Sequence, residues 1–202
     1  MGHRIALYLD IDNVVQASHL KYGYEMTRVI AERIPTELVH PAMRPQRLTS
    51  GIGEHRRLAR PKPFVSFNTN VRISPRMLED IAALDVDIAM LTSWLEHDSV
   101  DRFWEAMPVR LAYRKLTFPG RDFRDPLGAI PLRWKVEQLH ADQAREQKPF
   151  IWADDDEVPS FRSEIAETYP DTPHLLIAPT ESIGITRHHM ELMREFVQEH
   201  GQ

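Results

Sequence analysis

Apolar positions along the chain fall into short runs, and each run ends in a polar group. Ile5 to Leu9 (I-A-L-Y-L) is nearly continuous, the pattern of a strand buried on both faces, and it stops at Asp10-Ile11-Asp12. Asp87 to Leu91 (D-I-A-M-L) stops at Thr92-Ser93-Trp94, and Phe150 to Ala153 (F-I-W-A) stops at Asp154, Asp155, Asp156 and Glu157. His174 to Ala178 is a last strand, Val109 to Leu116 reads as another, and Phe64 to Ile73 looks extended. Between these runs the period changes to that of a helix. Ser74-Pro75 is a helix start, with Ser as N-cap and Pro in the first position, followed by an apolar stripe of Met77, Leu78, Ile81 and Ala82. Val100 to Met107 is predicted as a short helix, Pro131 to about Gln147 as a long one, and Val158-Pro159 leads into a third that runs to about Thr168. Thr186 caps a terminal helix with Met190, Met193 and Phe196 on its core side, and His188 and His189 are expected on its surface.

This alternation predicts an α/β fold: a three-layer sandwich around a mostly parallel, Rossmann-like central sheet, with Asp10, Thr92 and Asp154 at the carboxyl ends of its strands. Gln16 to Lys62 departs from the pattern, because Gly23, Pro35, Pro41, Pro45, Gly51, Gly53 and Pro61 interrupt it. Thr27 to Val39 is predicted as a hairpin. Arg44, Arg47, Arg56, Arg57, Arg60 and Lys62 then cluster, with Glu54 as the single opposing acid. The cluster reads either as an arm that attracts a polyanion or as a solvated loop. With 202 residues, the chain fits one domain, 1–202, in which 16–62 is a candidate flap or cap insert after the first strand.

Composition narrows the function classes. The net charge of -5 argues against a protein that coats nucleic acid, although a local basic patch is compatible with it. The absence of Cys excludes a disulfide framework and thiolate metal sites. There is no signal-type segment and no apolar run long enough for a bilayer, so a cytoplasmic protein that does not engage membranes is expected.

The polar ends carry the chemistry. Asp10 and Asp12 repel each other unless a cation relieves them, and hard oxygen donors favour Mg²⁺ over a soft metal. The four acids from Asp154 to Glu157 call for a positive group even more strongly. Lys135 lies in the first turn of a helix, where a cation opposes the helix dipole. That is a poor place for a decorative Lys and a sensible one for a Lys that meets a phosphate.

D-x-D after the first strand, Thr after a later one, Lys at a helix start and paired acids after a further strand resemble the four motifs of the haloacid dehalogenase (HAD) superfamily of phosphotransferases. The matching segments are L-D-I-D-N-V-V, A-M-L-T-S-W, R-W-K-V and I-W-A-D-D-D-E. More narrowly, T-S-W, W-K and W-A-D-D, followed by G-I-T before the last helix, look like a bacterial HAD group related to the phosphatase domains of RNA-repair proteins. The resemblance spans most of the chain but not Gln16 to Lys62. It implies a Mg²⁺-dependent phosphatase acting through an aspartyl phosphate on a phosphorylated small molecule, a nucleotide or a nucleic-acid end. Asp10 would be the nucleophile and Asp12 the general acid and base. Thr92, with Ser93, would hold the transferring phosphoryl group, and Lys135 would neutralise charge on Asp10 and on that group. Asp10, the backbone carbonyl of Asp12, Asp154 and Asp155 would hold Mg²⁺. Two departures stand out. Asn13 occupies a position that is usually Gly, and the run Asp154-Asp155-Asp156 leaves the metal register open by one residue.

Two other readings compete. D-I-D-N-V-V also resembles the opening of PIN/NYN-type ribonucleases. There Asp10, Asn13, Asp154 and Asp156 would form a Mg²⁺ site for RNA cleavage, and Thr92 and Lys135 would be incidental. The third reading is a non-catalytic HAD-like domain that binds a phosphorylated ligand or a protein partner.

Overall fold

Ile5–Leu9 forms strand β1, and each of its residues is buried, as its unbroken apolar run requires. In a computed structural model of the chain, residues 4–35, 64–119 and 133–201 are described. β1 is the middle strand of a parallel five-stranded sheet. The other strands are β4 (Val86–Met90), β5 (Tyr113–Lys115), β6 (Phe150–Ala153) and β7 (His174–Ile177), and the order across the sheet is β5-β4-β1-β6-β7. Helices α1 (Pro75–Ala82), α2 (Ser99–Ala106), α3 (Trp134–Glu146), α4 (Glu157–Thr168) and α5 (Arg187–His200) flank it. Counted along the five central strands, the order is 3-2-1-4-5, so the winding reverses between β1 and β6. A crevice forms at the carboxyl ends of strands at such a reversal, and ligands of open α/β sheets bind there. Among the described residues, no helix is long and apolar enough to cross a membrane.

The helix boundaries follow from local chemistry. Ser74 caps α1 by accepting the Met77 N–H at 3.4 Å, and Pro75 follows in the first turn, where a missing N–H costs nothing. Thr186 caps α5, and its partner is a correction to the sequence reading. His189 is half-buried, and its ring nitrogen accepts the Thr186 N–H at 3.2 Å while the Thr186 hydroxyl accepts the His189 N–H at 3.3 Å. The imidazole thus plays the part that Glu or Gln plays in most capping boxes. His188 is exposed.

A buried polar network seats α3 on the sheet. The Tyr8 hydroxyl, on β1, donates to Asp142 on α3 at 2.7 Å and accepts from Gln143 at 2.9 Å. Arg114 of β5 donates to the same carboxylate at 2.9 Å. Burial alone would raise the Asp142 pKa, but the hydrogen bonds from Arg114, Tyr8 and Arg145 outweigh it and hold the carboxyl below its ordinary range.

The predicted hairpin over Thr27 to Val39 is not what forms. Met26–Pro35 is a single strand, β2, and its antiparallel partner is β3, Phe64–Ile73, in a register running from Met26↔Ile73 to Pro35↔Phe64. No tight-turn sequence interrupts Met26–Pro35, and its pairing is made with a distant segment. This two-stranded sheet is separate from the central one and packs on α2. The basic side chains from Arg44 to Lys62 and the expected helix start at Pro131 lie outside the described residues.

Candidate active site

Three strands deliver their next residues to one place. Leu9 pairs with Met90 on one side and Ala153 on the other. The Leu91 N–H then donates to the Leu9 carbonyl at 3.0 Å, and the Asp10 N–H to the Ala153 carbonyl at 3.1 Å. Asp10 and Asp154 therefore leave the sheet side by side at the reversal between β1 and β6, Thr92 follows β4 on the other side of β1, and all three are buried. Asn13 follows with φ 55, a left-handed conformation that Asn tolerates better than most non-glycine residues. The Ile11 carbonyl then accepts the N–H groups of Val14, Val15 and Gln16 at 3.3, 3.0 and 3.0 Å, so the chain winds through one compact turn.

Lys135, in the first turn of α3, reaches into this cluster. Its ammonium donates to Asp10 Oδ2 at 2.6 Å, Asp154 Oδ2 at 2.8 Å and Glu157 Oε2 at 2.9 Å. The other Asp154 oxygen accepts the backbone N–H groups of Asp156 and Glu157 at 3.1 and 2.8 Å, which fixes the turn from β6 into α4. Asp10 Oδ1 accepts the Ile11 N–H at 2.6 Å, and the Thr92 hydroxyl also hydrogen-bonds to Asp10. Asp10, Asp154 and Asp155 each offer a carboxylate oxygen, all within 4.8 Å of one another. Asp156 is exposed and lies outside this group, and Asn13 hydrogen-bonds to Asp155.

Four acids and one cation share a largely buried space. Burial, reinforced by the charge of Asp154, pushes Asp10 up to about 7 against the pull of Lys135. Burial and Asp154 push Glu157 up to about 9. Asp155 is also raised, by burial and then by Asp154. Asp154 is lowered: burial opposes its ionisation, but Lys135 and the Glu157 hydrogen bonds prevail. For Lys135, burial alone would lower the pKa, and the combined charge of Asp10, Asp154 and Glu157 raises it well above the usual value instead. The cluster thus holds more carboxyl groups than its cation can balance, which is why Asp10, Asp155 and Glu157 are displaced toward their neutral forms. A divalent cation is the other way to balance it. An all-oxygen set of carboxylates fits a hard ion such as Mg²⁺.

Asp12 is held by other donors than the Lys135 ammonium. Its Oδ1 accepts from Gln16 Nε2 at 2.8 Å, and its Oδ2 accepts from the Trp94 indole N–H at 3.0 Å. Its side chain is absent from the group of three carboxylates that could hold a metal. Ser93 is exposed at the start of a short 3₁₀ turn, Ser93–Asp98, that Thr92 caps by accepting the Trp94 N–H at 3.4 Å.

Three contributors were not assigned from the sequence: Glu157, Gln16 and Trp94. Glu157 stands one turn beyond Asp154 at the first position of a helix, a spacing that brings both carboxylates to one cation. Gln16 stands four residues after Asp12 and Trp94 two after Thr92, within reach only because of the turns in which they sit. No family model matches the chain, and neither does any curated protein or solved structure.

Proposed function

We propose that this chain is a Mg²⁺-dependent phosphomonoester hydrolase of the haloacid dehalogenase type, which forms an aspartyl phosphate on Asp10. The β2–β3 pair would belong to its flap. The observation that carries the reading is the contact of Lys135 with both Asp10 and Asp154 at the sheet reversal. In a ribonuclease that works by metal-bound acids alone, Lys135 and Thr92 would have no reason to meet Asp10. That alternative also draws on Asp156, which is exposed and apart from the acid group.

The chemistry follows from the residues. A carboxylate oxygen of Asp10 attacks phosphorus in line with the ester oxygen, and the bond from phosphorus to that oxygen breaks. Asp12 gives its proton to the departing alkoxide. Asp12, now a carboxylate, takes a proton from water as the water oxygen attacks phosphorus, and inorganic phosphate leaves with Asp10 restored. Lys135 and the Thr92 hydroxyl hold Asp10 in place and offset the negative charge that gathers on the phosphoryl oxygens. Asp10, Asp154 and Asp155 would hold Mg²⁺, which supplies the charge neutralisation that lets a carboxylate approach a phosphate.

Substrates consistent with this site are phosphorylated small molecules, nucleotides and nucleic-acid ends. The test is a phosphate-release screen of the purified chain with Mg²⁺. It should cover nucleotides, sugar phosphates and oligonucleotides phosphorylated at the 3′ or 5′ end, with internal RNA cleavage assayed in parallel. Release of phosphate that stops with EDTA is expected. Internal RNA cleavage without phosphate release would overturn the reading.

A further inference from the structure

The two carboxylates of D-x-D are held by two residues of one triplet. Thr92 hydrogen-bonds to Asp10, and Trp94 donates its indole N–H to Asp12 Oδ2 at 3.0 Å. The second Asp12 oxygen is held by Gln16 Nε2 at 2.8 Å, within the turn that the Ile11 carbonyl organises. A carboxylate with one hydrogen bond can swing about its remaining torsions. With a donor on each oxygen, it is fixed in both position and plane, while each oxygen keeps a second lone pair for a proton or a substrate.

The Trp94 donor is packed into the core. The Trp94 ring is buried and packs edge-on against Phe103 with centroids 5.2 Å apart, and Phe103 packs edge-on against Trp104 at 4.9 Å. Phe103 and Trp104 belong to α2, on which the β2–β3 pair rests, and Trp94 joins them from the 3₁₀ turn that precedes it. An indole could satisfy its N–H more cheaply with water or a backbone carbonyl. Here it spans 82 residues of sequence to meet an acid that is otherwise half-exposed.

We propose that Trp94 and Gln16 are positioning residues that hold the Asp12 carboxyl where it meets the leaving-group oxygen. The proposal rests on the phosphatase reading above. Correct placement of a general acid matters in proportion to how much the leaving group needs a proton. Loss of the clamp therefore raises the sensitivity of the rate to the leaving group rather than lowering all rates alike.

The test compares phenyl phosphate with 4-nitrophenyl phosphate. The two are similar in shape, but phenoxide needs protonation far more than 4-nitrophenoxide does. Trp94→Phe keeps a ring against Phe103 and removes the N–H. Gln16→Met keeps the side-chain length and removes the amide donor. For each variant, the ratio of kcat for 4-nitrophenyl phosphate to kcat for phenyl phosphate should rise about ten-fold or more over wild type, a small part of what a general acid supplies. Equal losses on both esters, or no change in the ratio, would overturn the proposal, because a merely structural role slows both substrates together. If Trp94→Phe does not fold, Gln16→Met decides alone. Wild-type protein inactive on both esters and in the wider phosphate screen would remove the phosphatase reading and this inference with it. An active wild type with an unmoved ratio removes only the inference.

Discussion

The Lys135 ammonium stands 2.6 Å from the Asp10 carboxylate across 125 residues of sequence. It also bridges to Asp154 and Glu157, so one cation holds the ends of β1 and β6 and the start of α4 together. Removing one member of a buried charge cluster typically costs about 3–5 kcal/mol, unless the groups left behind can neutralise themselves. The carboxyls here can do so by taking up protons. Lys135→Met is therefore expected to lower Tm, and the deficit against wild type should be larger near pH 8 than near pH 5. Thermal melts at the two pH values check this, and a deficit independent of pH would contradict it. Phosphatase activity should fall by about 100-fold or more.

The raised carboxyls predict an unusual pH profile for the metal-free protein. Asp10 moves from 3.8 to about 7 and Glu157 from 4.5 to about 9, so across those intervals the folded chain binds more protons than the unfolded one. Stability then falls as pH rises, from the ordinary carboxylate range up to about 7 for Asp10 and about 9 for Glu157. Asp154 acts in the opposite sense only below its own ordinary range. Melts in EDTA should show Tm declining over this window. Saturating Mg²⁺ should flatten the decline, since an ion that binds only the folded state adds stability and replaces the protons. A Tm that stays level or climbs in EDTA would count against the charge balance described here.

Asp10→Asn keeps the size of the side chain and removes the nucleophile's charge. Phosphate release should drop to background while the far-ultraviolet circular dichroism spectrum stays unchanged. Asp12→Asn should also be slow on alkyl phosphates but should recover in part on an aryl phosphate with a good leaving group. Beryllofluoride with Mg²⁺ should bind wild type as a mimic of the phosphorylated carboxylate and should fail to bind Asp10→Asn, as measured by fluorine NMR.

Gly184 has φ 70, and a Cβ placed there would lie 2.8 Å from the Val14 carbonyl oxygen, with which Ile185 N–H bonds at 2.9 Å. Both the backbone conformation and the close approach exclude a side chain. Gly184→Ala is expected to cost roughly 2 kcal/mol, about 5 °C in Tm for a chain of this size. Because the strain falls on the turn just after Asp12, activity should fall in folded protein as well. A melt unchanged from wild type would show that the loop before α5 yields without resistance.

The parts of the fold that were legible in the sequence are those whose signal is local. β1, β4 and β6 are short apolar runs with a polar end, and α1 and α5 announce themselves through Ser74-Pro75 and Thr186. The gathering of Asp10, Thr92, Lys135, Asp154 and Asp155 could be anticipated because each stands at an element end on the side of the sheet where such ends converge. The pairing of β2 with β3 could not be read, because no turn chemistry joins them and register between distant strands has no local signature. Glu157, Gln16 and Trp94 escaped for a related reason. Their roles depend on which way a side chain points after a turn, and residue type and spacing leave that open. The part of His189 in the cap has no sequence signature either, since a capping box is usually closed by Glu or Gln and a given imidazole nitrogen is an acceptor in only one tautomer.

The register that pairs Pro35 with Phe64 sets the two ends of residues 36–63 opposite each other on adjacent strands. The chain therefore leaves and re-enters the described fold at one pair of neighbouring positions. Replacing 36–63 by a tight Asn-Gly turn would lower the loop-closure entropy by only about 1–3 kcal/mol in favour of folding. The central sheet and its acids would be left as they are. Such a miniature should still turn over a small aryl phosphate, while any preference for a polyanionic substrate carried by Arg44, Arg47, Arg56, Arg57, Arg60 and Lys62 should vanish. Selectivity and chemistry would then be separable parts of one polypeptide, open to being exchanged independently by insertion, deletion or grafting at one point in the chain.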